Sequence, residues 1–290
     1  MIFITGCESF VGKHLIKECI KKKIQYFGID INAKNTKFTK RLDLRNKKLD
    51  KYIPTRAIII HLAAISKDKL CSKNPELATD VNINGTINLI HAAKKKEAKK
   101  FIFASSIWVY GEKNNKKKDN EDTKIDANKI RSIYILTKIV VERYLEIVNF
   151  FKSVIILRFG IVYGAKNKEN WSIVETIFDL VKKSMNKKSI KIRSKKTSRC
   201  FIHIKDLIAG ILKASKYNEK FTVLNLCGDS LVSVIDIINS AKKILKINNI
   251  ILIKQSHASK PSIKSTSNEK AKKTINWKPR VKLNDYLKKI

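Results

Sequence analysis

The chain has 290 residues, 43% of them apolar, with only nine Gly and four Pro; it can bury a core as one large domain or one and a half, and it is no disordered tail. Its formal net charge of +37 invites nucleic acid or an anionic membrane as a partner. Yet nine of the basic residues are Arg against 53 Lys, Ile outnumbers Leu by 45 to 21, and no aromatic pattern interleaves the lysines, so the bias of AT-rich codons toward Lys, Ile and Asn is the simpler source of the charge and no nucleic-acid partner is expected.

Residues 1–5 read as a short apolar strand, too brief for a signal peptide. Thr5-Gly6-Cys7-Glu8-Ser9-Phe10-Val11-Gly12 then opens an amphipathic helix with Val11, Leu15, Ile16, Cys19 and Ile20 on one side. Strand, glycine turn and helix aim backbone N–H groups at a phosphate. Gly6 and Gly12 hold the first and third glycine positions of such a loop. Ser9 stands at the middle one, small enough for a pyrophosphate to approach at some steric or affinity penalty. A second strand, Gln25 to Asp30, ends in a carboxylate 18 residues beyond Gly12. An acid there suits both hydroxyls of an adenine ribose and repels a 2′-phosphate, which favours NAD over NADP; Lys34 nearby weakens that preference.

Arg41 to Arg45 follow, then Ala57 to Ala64, which reads as a central, doubly buried strand far short of a membrane span. A soluble cytoplasmic protein is expected. Val81 to Ala93 has helical period, Phe101 to Ser105 is a buried strand, residues 112–128 are a polar loop, Ile130 to Val148 is a helix and Ser153 to Phe159 a strand. This alternation predicts an α/β fold: a doubly wound parallel Rossmann-type sheet over residues 1–160. Residues 161–290 predict a smaller substrate-binding lobe, with room for returns to the main sheet. Its expected elements are helices at Trp171 to Met185, Ile204 to Ala214 and Val232 to Leu245, strands at 190–192, 221–226 and 250–253, a polar loop over 254–269 and a last helix from Leu283. The five cysteines are scattered without a Cys-x-x-Cys, and the histidines lack ligand spacing; reduced thiols and no metal are expected.

The chemistry concentrates at the end of the Phe101 strand and on the helix after the polar loop. Tyr134 and Lys138 share a helix face one turn apart, and a neighbouring ammonium favours a phenolate. Ser106, at the strand's carboxyl end, could orient a substrate alcohol for that base. A lone Tyr-x-x-x-Lys recurs by chance on any helix; this one gains weight from the nucleotide-type loop at residue 6.

Taken together, Thr5-Gly6…Val11-Gly12, Asp30, Asp43-Leu44, His61-Leu62-Ala63-Ala64, Val81-Asn82…Gly85-Thr86, Ser105-Ser106…Val109-Tyr110-Gly111, Tyr134…Lys138, Leu157-Arg158-Phe159, Arg199…His203…Asp206 and Asn276-Trp277-Lys278-Pro279 resemble the extended short-chain dehydrogenase/reductases, in the NAD-dependent epimerase/dehydratase branch acting on nucleotide sugars. The resemblance covers essentially the whole chain. It implies that Tyr134 is the acid/base, that Lys138 holds the nicotinamide ribose and lowers the tyrosine pKa, and that Ser106 bridges to the reacting oxygen. It implies further that Gly6, Ser9, Phe10, Val11 and Gly12 line the pyrophosphate, Asp30 the ribose and Asp43-Leu44 the adenine. Leu62, Ala63 and Ala64 would flank the cofactor, Asn82 would support the sheet end beside it, and Arg199 would meet the substrate diphosphate. A homodimer through helices 81–95 and 130–148 is implied too.

Two departures narrow the activity. The 4,6-dehydratases carry an Asp-Glu pair where Ile107 and Trp108 stand here, and neither an alkyl chain nor an indole exchanges protons with carbon, so dehydration is not expected. Many epimerases have Asn where Ile161 stands, and Ile forms no hydrogen bond, which leaves the substrate class open. The resemblance therefore implies an NAD-dependent nucleotide-sugar epimerase, foremost a UDP-hexose 4-epimerase. The alternative is a reductase or dehydrogenase of the same family. A non-catalytic RNA-binding relative would predict decay of the Ser106, Tyr134 and Lys138 set, which is intact.

Overall fold

The computed structural model describes residues 1–112, 116–184, 189–192, 194–247, 251–254 and 262–290. In chain order the elements are β1 (Ile2–Thr5), α1 (Phe10–Lys21), β2 (Tyr26–Asp30), β3 (Thr39–Arg41), β4 (Ile58–His61), α2 (Asp68–Lys73), α3 (Pro75–Thr79), α4 (Gly85–Lys95), β5 (Lys100–Ser106), α5 (Ile133–Val148) and β6 (Ser153–Phe159). There follow β7 (Ile161–Tyr163), α6 (Ile173–Lys183), β8 (Ser189–Ile192), β9 (Ser198–His203), α7 (Ile204–Lys216), β10 (Phe221–Leu226), β11 (Leu231–Ser233), α8 (Val234–Leu245), β12 (Ile251–Lys254), β13 (Ile263–Lys264), α9 (Glu269–Ile275) and α10 (Leu283–Leu287). Met185, Ile250 and Pro261, which the sequence places in a helix, a strand and a loop, lie outside the described residues. No described helix is long and apolar enough to cross a membrane.

Two compact units share the chain. The first comprises 1–111, 124–158 and 208–224, the second 112–123, 159–207 and 225–290. The sequence suggests a boundary at residue 160 with room for returns to the main sheet; in the structure the chain crosses between the units several times, and 208–224 lies in the first. In the first unit seven strands form a sheet in the order β10-β6-β5-β4-β1-β2-β3, the doubly wound pattern expected. The near-continuous apolar runs follow from burial on both faces: Phe3, Ile4, Ile59, Ile60, Phe101, Ile102 and Phe103 are all within 1% of fully buried, each worth about 1.5–3 kcal/mol relative to exposure. The segment 208–224 joins this unit through β10 and through Lys100, whose buried ammonium donates to the carbonyls of Ser215 (2.8 Å) and Tyr217 at the end of α7.

Register brings the strand ends to one edge. Thr5 pairs with both Ile29 and His61, and His61 with Phe103. Strand β5 therefore runs three residues past its neighbour, about 10 Å at ~3.3 Å per residue, and carries Ser106 clear of the edge. In the second unit β9 is the hub: β11 pairs antiparallel on one side, β13 and β7 parallel. Helices α6 and α8 each start in a capping box, Ser172 with Glu175 and Ser233 with Asp236, and bury Val174, Phe178, Val181, Ile237 and Ile238 in that unit's core. The polar stretch 112–123 belongs here because Asp119 bridges Thr266.

Candidate active site

The turn after β1 is built by two glycines. Gly6 has φ +70°, and a Cβ on it would lie 2.6 Å from the Ala63 nitrogen. A Cβ on Gly12 would lie 2.2 Å from the Gly6 carbonyl oxygen. Only backbone can occupy either place. Ser9 is the N-cap of α1, its hydroxyl accepting from Gly12 N–H at 3.0 Å, in ordinary extended geometry. The serine therefore causes no steric clash in this turn; it engages one donor. Among the described residues no protein group accepts from the Phe10 and Val11 N–H groups, the first-turn donors that face outward from a helix start.

Asp30 ends β2 beside this turn. Its two carboxylate oxygens accept from Glu8 N–H (3.1 Å) and Asn32 N–H (2.9 Å), so the acid is fixed and each oxygen keeps a further lone pair for a hydroxyl donor. Asp43 instead is chelated by Arg45, at 2.7 and 3.0 Å, and Arg45 continues to Asp80 at 2.9 Å; the Arg45 hydrogen bonds hold the Asp43 carboxyl below its ordinary range. Leu44 is buried, and its carbonyl accepts from Asn88. Leu62 and Ala63 lie directly under Gly6, with Ala64 following.

Residues 80–84 form a π-turn leading into α4, where the sequence predicts plain helix. The widened turn places Asn82 inward. Its amide accepts from Ile65 N–H (2.8 Å) and donates to Ile65 O (3.0 Å) and Thr137 Oγ1 (3.2 Å). It thereby clamps the segment after β4 to the residue beside Lys138.

A second network, which no sequence pattern assigns, centres on His61. Its Nδ1 lies 2.6 Å from Thr5 Oγ1 and its Nε2 2.8 Å from Thr86 Oγ1. Thr86 spends its only proton on Asn82 O (2.7 Å), so it must accept from Nε2–H, and Thr5 must donate to Nδ1. The imidazole is neutral with one defined tautomer. Burial, then the Lys138 charge, lowers its pKa to about 3. Each of these residues stands in a motif quoted above; the contact among them is long-range and leaves no local signal.

Helix α5 carries Tyr134 and Lys138. Ser132 caps it and meets Asp68 at 2.5 Å. Tyr134 packs against Ile107, Val109, Tyr110 and Ile135, with Trp108 partly buried in the same cluster. The buried Lys138 ammonium sits 4.6 Å from the Phe103 ring centroid and 5.5 Å from that of Tyr134. Burial lowers Lys138 to about 8, with Glu142 and Cys71 opposing. The expected lowering of Tyr134 is not what the protein alone has: burial, and Cys71 after it, raise the phenol above its ordinary value. The i,i+4 rule gives proximity; it says nothing of the desolvation both groups suffer. Ser106 is buried, its hydroxyl accepting from Trp108 N–H at 3.2 Å. Arg199, in the second unit, donates to Ser262 and Ser198 carbonyls, and burial lowers its pKa.

A family model described as the NAD dependent epimerase/dehydratase family matches residues 2–227. The chain belongs to that family. The UDP-glucuronate 4-epimerase of Thermodesulfobacterium geofontis is 26% identical, aligning 99% of this chain with 93% of its own. The dTDP-D-glucose 4,6-dehydratase of Dictyostelium discoideum is 29% identical over 85% of this chain, so relatives within the family differ in reaction. Among solved structures, the UDP-glucuronic acid 4-epimerase of Bacillus cereus superposes with a TM-score of 0.81, 26% identity and coverage of 99% and 96%. That protein was crystallised as a Tyr-to-Phe mutant with NAD and UDP-4-deoxy-4-fluoroglucuronic acid. The family is NAD-dependent, and the cradle at Gly6, Gly12 and Asp30 fits a dinucleotide: backbone approach, outward N–H groups and a fixed carboxylate with lone pairs left for hydroxyl donors.

Proposed function

We propose that this member of the family is an NAD-dependent nucleotide-sugar epimerase that inverts carbon 4 of a UDP-hexose through a transient 4-keto sugar. The observation that carries the reading is the Ser106, Tyr134 and Lys138 set beside an intact dinucleotide cradle, with Ile107 fully buried and Trp108 packed on the same apolar cluster as Tyr134 where dehydration would need carboxyl groups. Gly6, Ser9, Phe10, Val11 and Gly12 would hold the pyrophosphate and Asp30 the adenine ribose, with Asp43 and Leu44 near the adenine and Leu62, Ala63 and Ala64 along its path. NAD, when bound, supplies a reversible hydride acceptor, so carbon 4 is oxidised and reduced with no net redox change.

The chain's own residues manage the proton. Tyr134 Oη takes it from the 4-hydroxyl and returns it to the 4-keto oxygen after the sugar has turned over. Ser106 Oγ orients that oxygen. The Lys138 ammonium answers the burial that raises the phenol. Asn82 and the His61 network keep the floor rigid through both half-reactions. Arg199 is assigned to the substrate diphosphate on the family's pattern. The exposed Leu136, Val140 and Ile147 on α5 support docking of a second copy there.

The test is to denature freshly purified protein and assay the supernatant for nicotinamide cofactor. About one NAD per chain supports an epimerase that keeps its cofactor. A cofactor-free protein that binds NADPH and releases it each turnover would favour a reductase instead.

A further inference from the structure

Beneath the reactive pair lies a buried ion pair that the chemistry above does not use. Glu142, one turn after Lys138 on α5, meets Arg158 of β6 at 2.6 Å, both side chains only 6% exposed. Its carboxylate also accepts from Arg158 Nε, at 3.2 Å, and from Ser105 Oγ. Arg158 donates onward to Tyr110 Oη at 2.8 Å and lies 4.9 Å from that ring's centroid. Four pieces of structure thus converge on one charge pair: the helix carrying Tyr134 and Lys138, the strand end carrying Ser106, the turn that follows it, and β6.

Desolvating two ions costs several kcal/mol each, and apolar residues of like size often serve stability better. An ion pair at this spot therefore calls for a role beyond packing. Rows i and i+4 of a helix adjoin, so the Glu142 carboxylate stands next to the Lys138 stem. The titratable groups facing Lys138 are Tyr134 and Glu142 from α5, Cys71 from α2 and His61 from β4. Burial and Asp68 keep Cys71 a thiol, and the Glu142 charge favours the Lys138 ammonium where burial opposes it.

We propose that Glu142 and Arg158 are positioning residues for the reaction: the Glu142 carboxylate holds buried Lys138 in its ammonium form and ties Ser105, hence Ser106, to the same helix, while Arg158 fixes that carboxylate and the Tyr110 turn. The role in catalysis rests on the proposed epimerase reading, but the electrostatic link is measurable without turnover. The experiment follows the Nζ and Cε signals of isotopically labelled lysine in the full-length protein against pH, with Lys138 assigned by its loss in Lys138→Arg. Glu142→Gln moves the Lys138 midpoint about one pH unit lower. Should Glu142→Gln fail to fold, Glu142→Asp carries the test with a smaller drop in the same direction. An unchanged midpoint in folded Glu142→Gln, or in Glu142→Asp if that is the variant measured, overturns the proposal. A protein that shows the shift yet epimerises no sugar leaves it standing and removes the epimerase reading instead.

Discussion

Acidification should weaken the whole fold through His61 while the native imidazole stays neutral. His61 is held neutral between two threonines, and its pKa falls from 6.5 to about 3 through burial and the Lys138 charge. A group whose native pKa is depressed binds more protons when unfolded, so its contribution is complete above the unfolded value and is lost as pH falls toward the native one. Between pH 7.5 and 4.5 the unfolded histidine gains nearly a full proton and the native one almost none. That amounts to two pH units of linkage, about 2.7 kcal/mol at ~1.36 kcal/mol per unit. Carboxylates titrate in the same window, so the wild-type slope alone is uninformative. The comparison is urea unfolding of wild type and His61→Gln at both pH values. The variant loses the two threonine contacts at either pH, and the difference between the two differences isolates the proton. Wild type should lose about 2–3 kcal/mol more than the variant on acidification. Equal losses, or an imidazole nitrogen signal for His61 that titrates between pH 5.5 and 7.5, would refute the neutral network.

Three further outcomes follow from geometry. Gly12→Ala places a methyl 2.2 Å from a backbone oxygen that cannot yield, so the protein should purify without NAD and lose about 1–3 kcal/mol in denaturant titration. Tyr134→Phe removes the proposed proton carrier but no residue of the glycine turn; cofactor content should stay level while turnover drops about 10²–10⁴-fold. Leu136→Glu with Val140→Glu puts charge on the apolar row of α5; with the proposed docking of a second copy there, light scattering should report a dimer for the parent chain and a monomer for the variant.

Much of the first unit was legible in the sequence because its strands are buried on both faces and announce themselves as unbroken apolar runs, from Ile58 to His61 and from Ser153 to Phe159. The tight turn at Gly6 and Gly12 was legible for a different reason: each place leaves room for backbone alone. Thr39 to Arg41 gave no such sign, since a three-residue edge strand of polar residues has nothing to bury. The short helices α2 and α3 were equally silent, being too brief to show a period. Glu142 stands on a helix and Arg158 in a strand readable from the sequence, but only the fold reveals that they neutralise each other in the interior. Tyr134 shows the limit of a spacing rule. Its distance from Lys138 was readable, but burial sets the direction of its pKa, and burial belongs to the tertiary structure.

The most direct measurement is proton NMR of the purified protein, with its own NAD and no added cofactor, incubated with UDP-glucose, UDP-N-acetylglucosamine or UDP-glucuronate. One of these should convert to its 4-epimer and stop at a fixed ratio, with no NADH accumulating at 340 nm. Appearance of a 4-keto-6-deoxy sugar, stoichiometric NADH, or no conversion by protein shown to carry NAD would contradict 4-epimerisation by Tyr134.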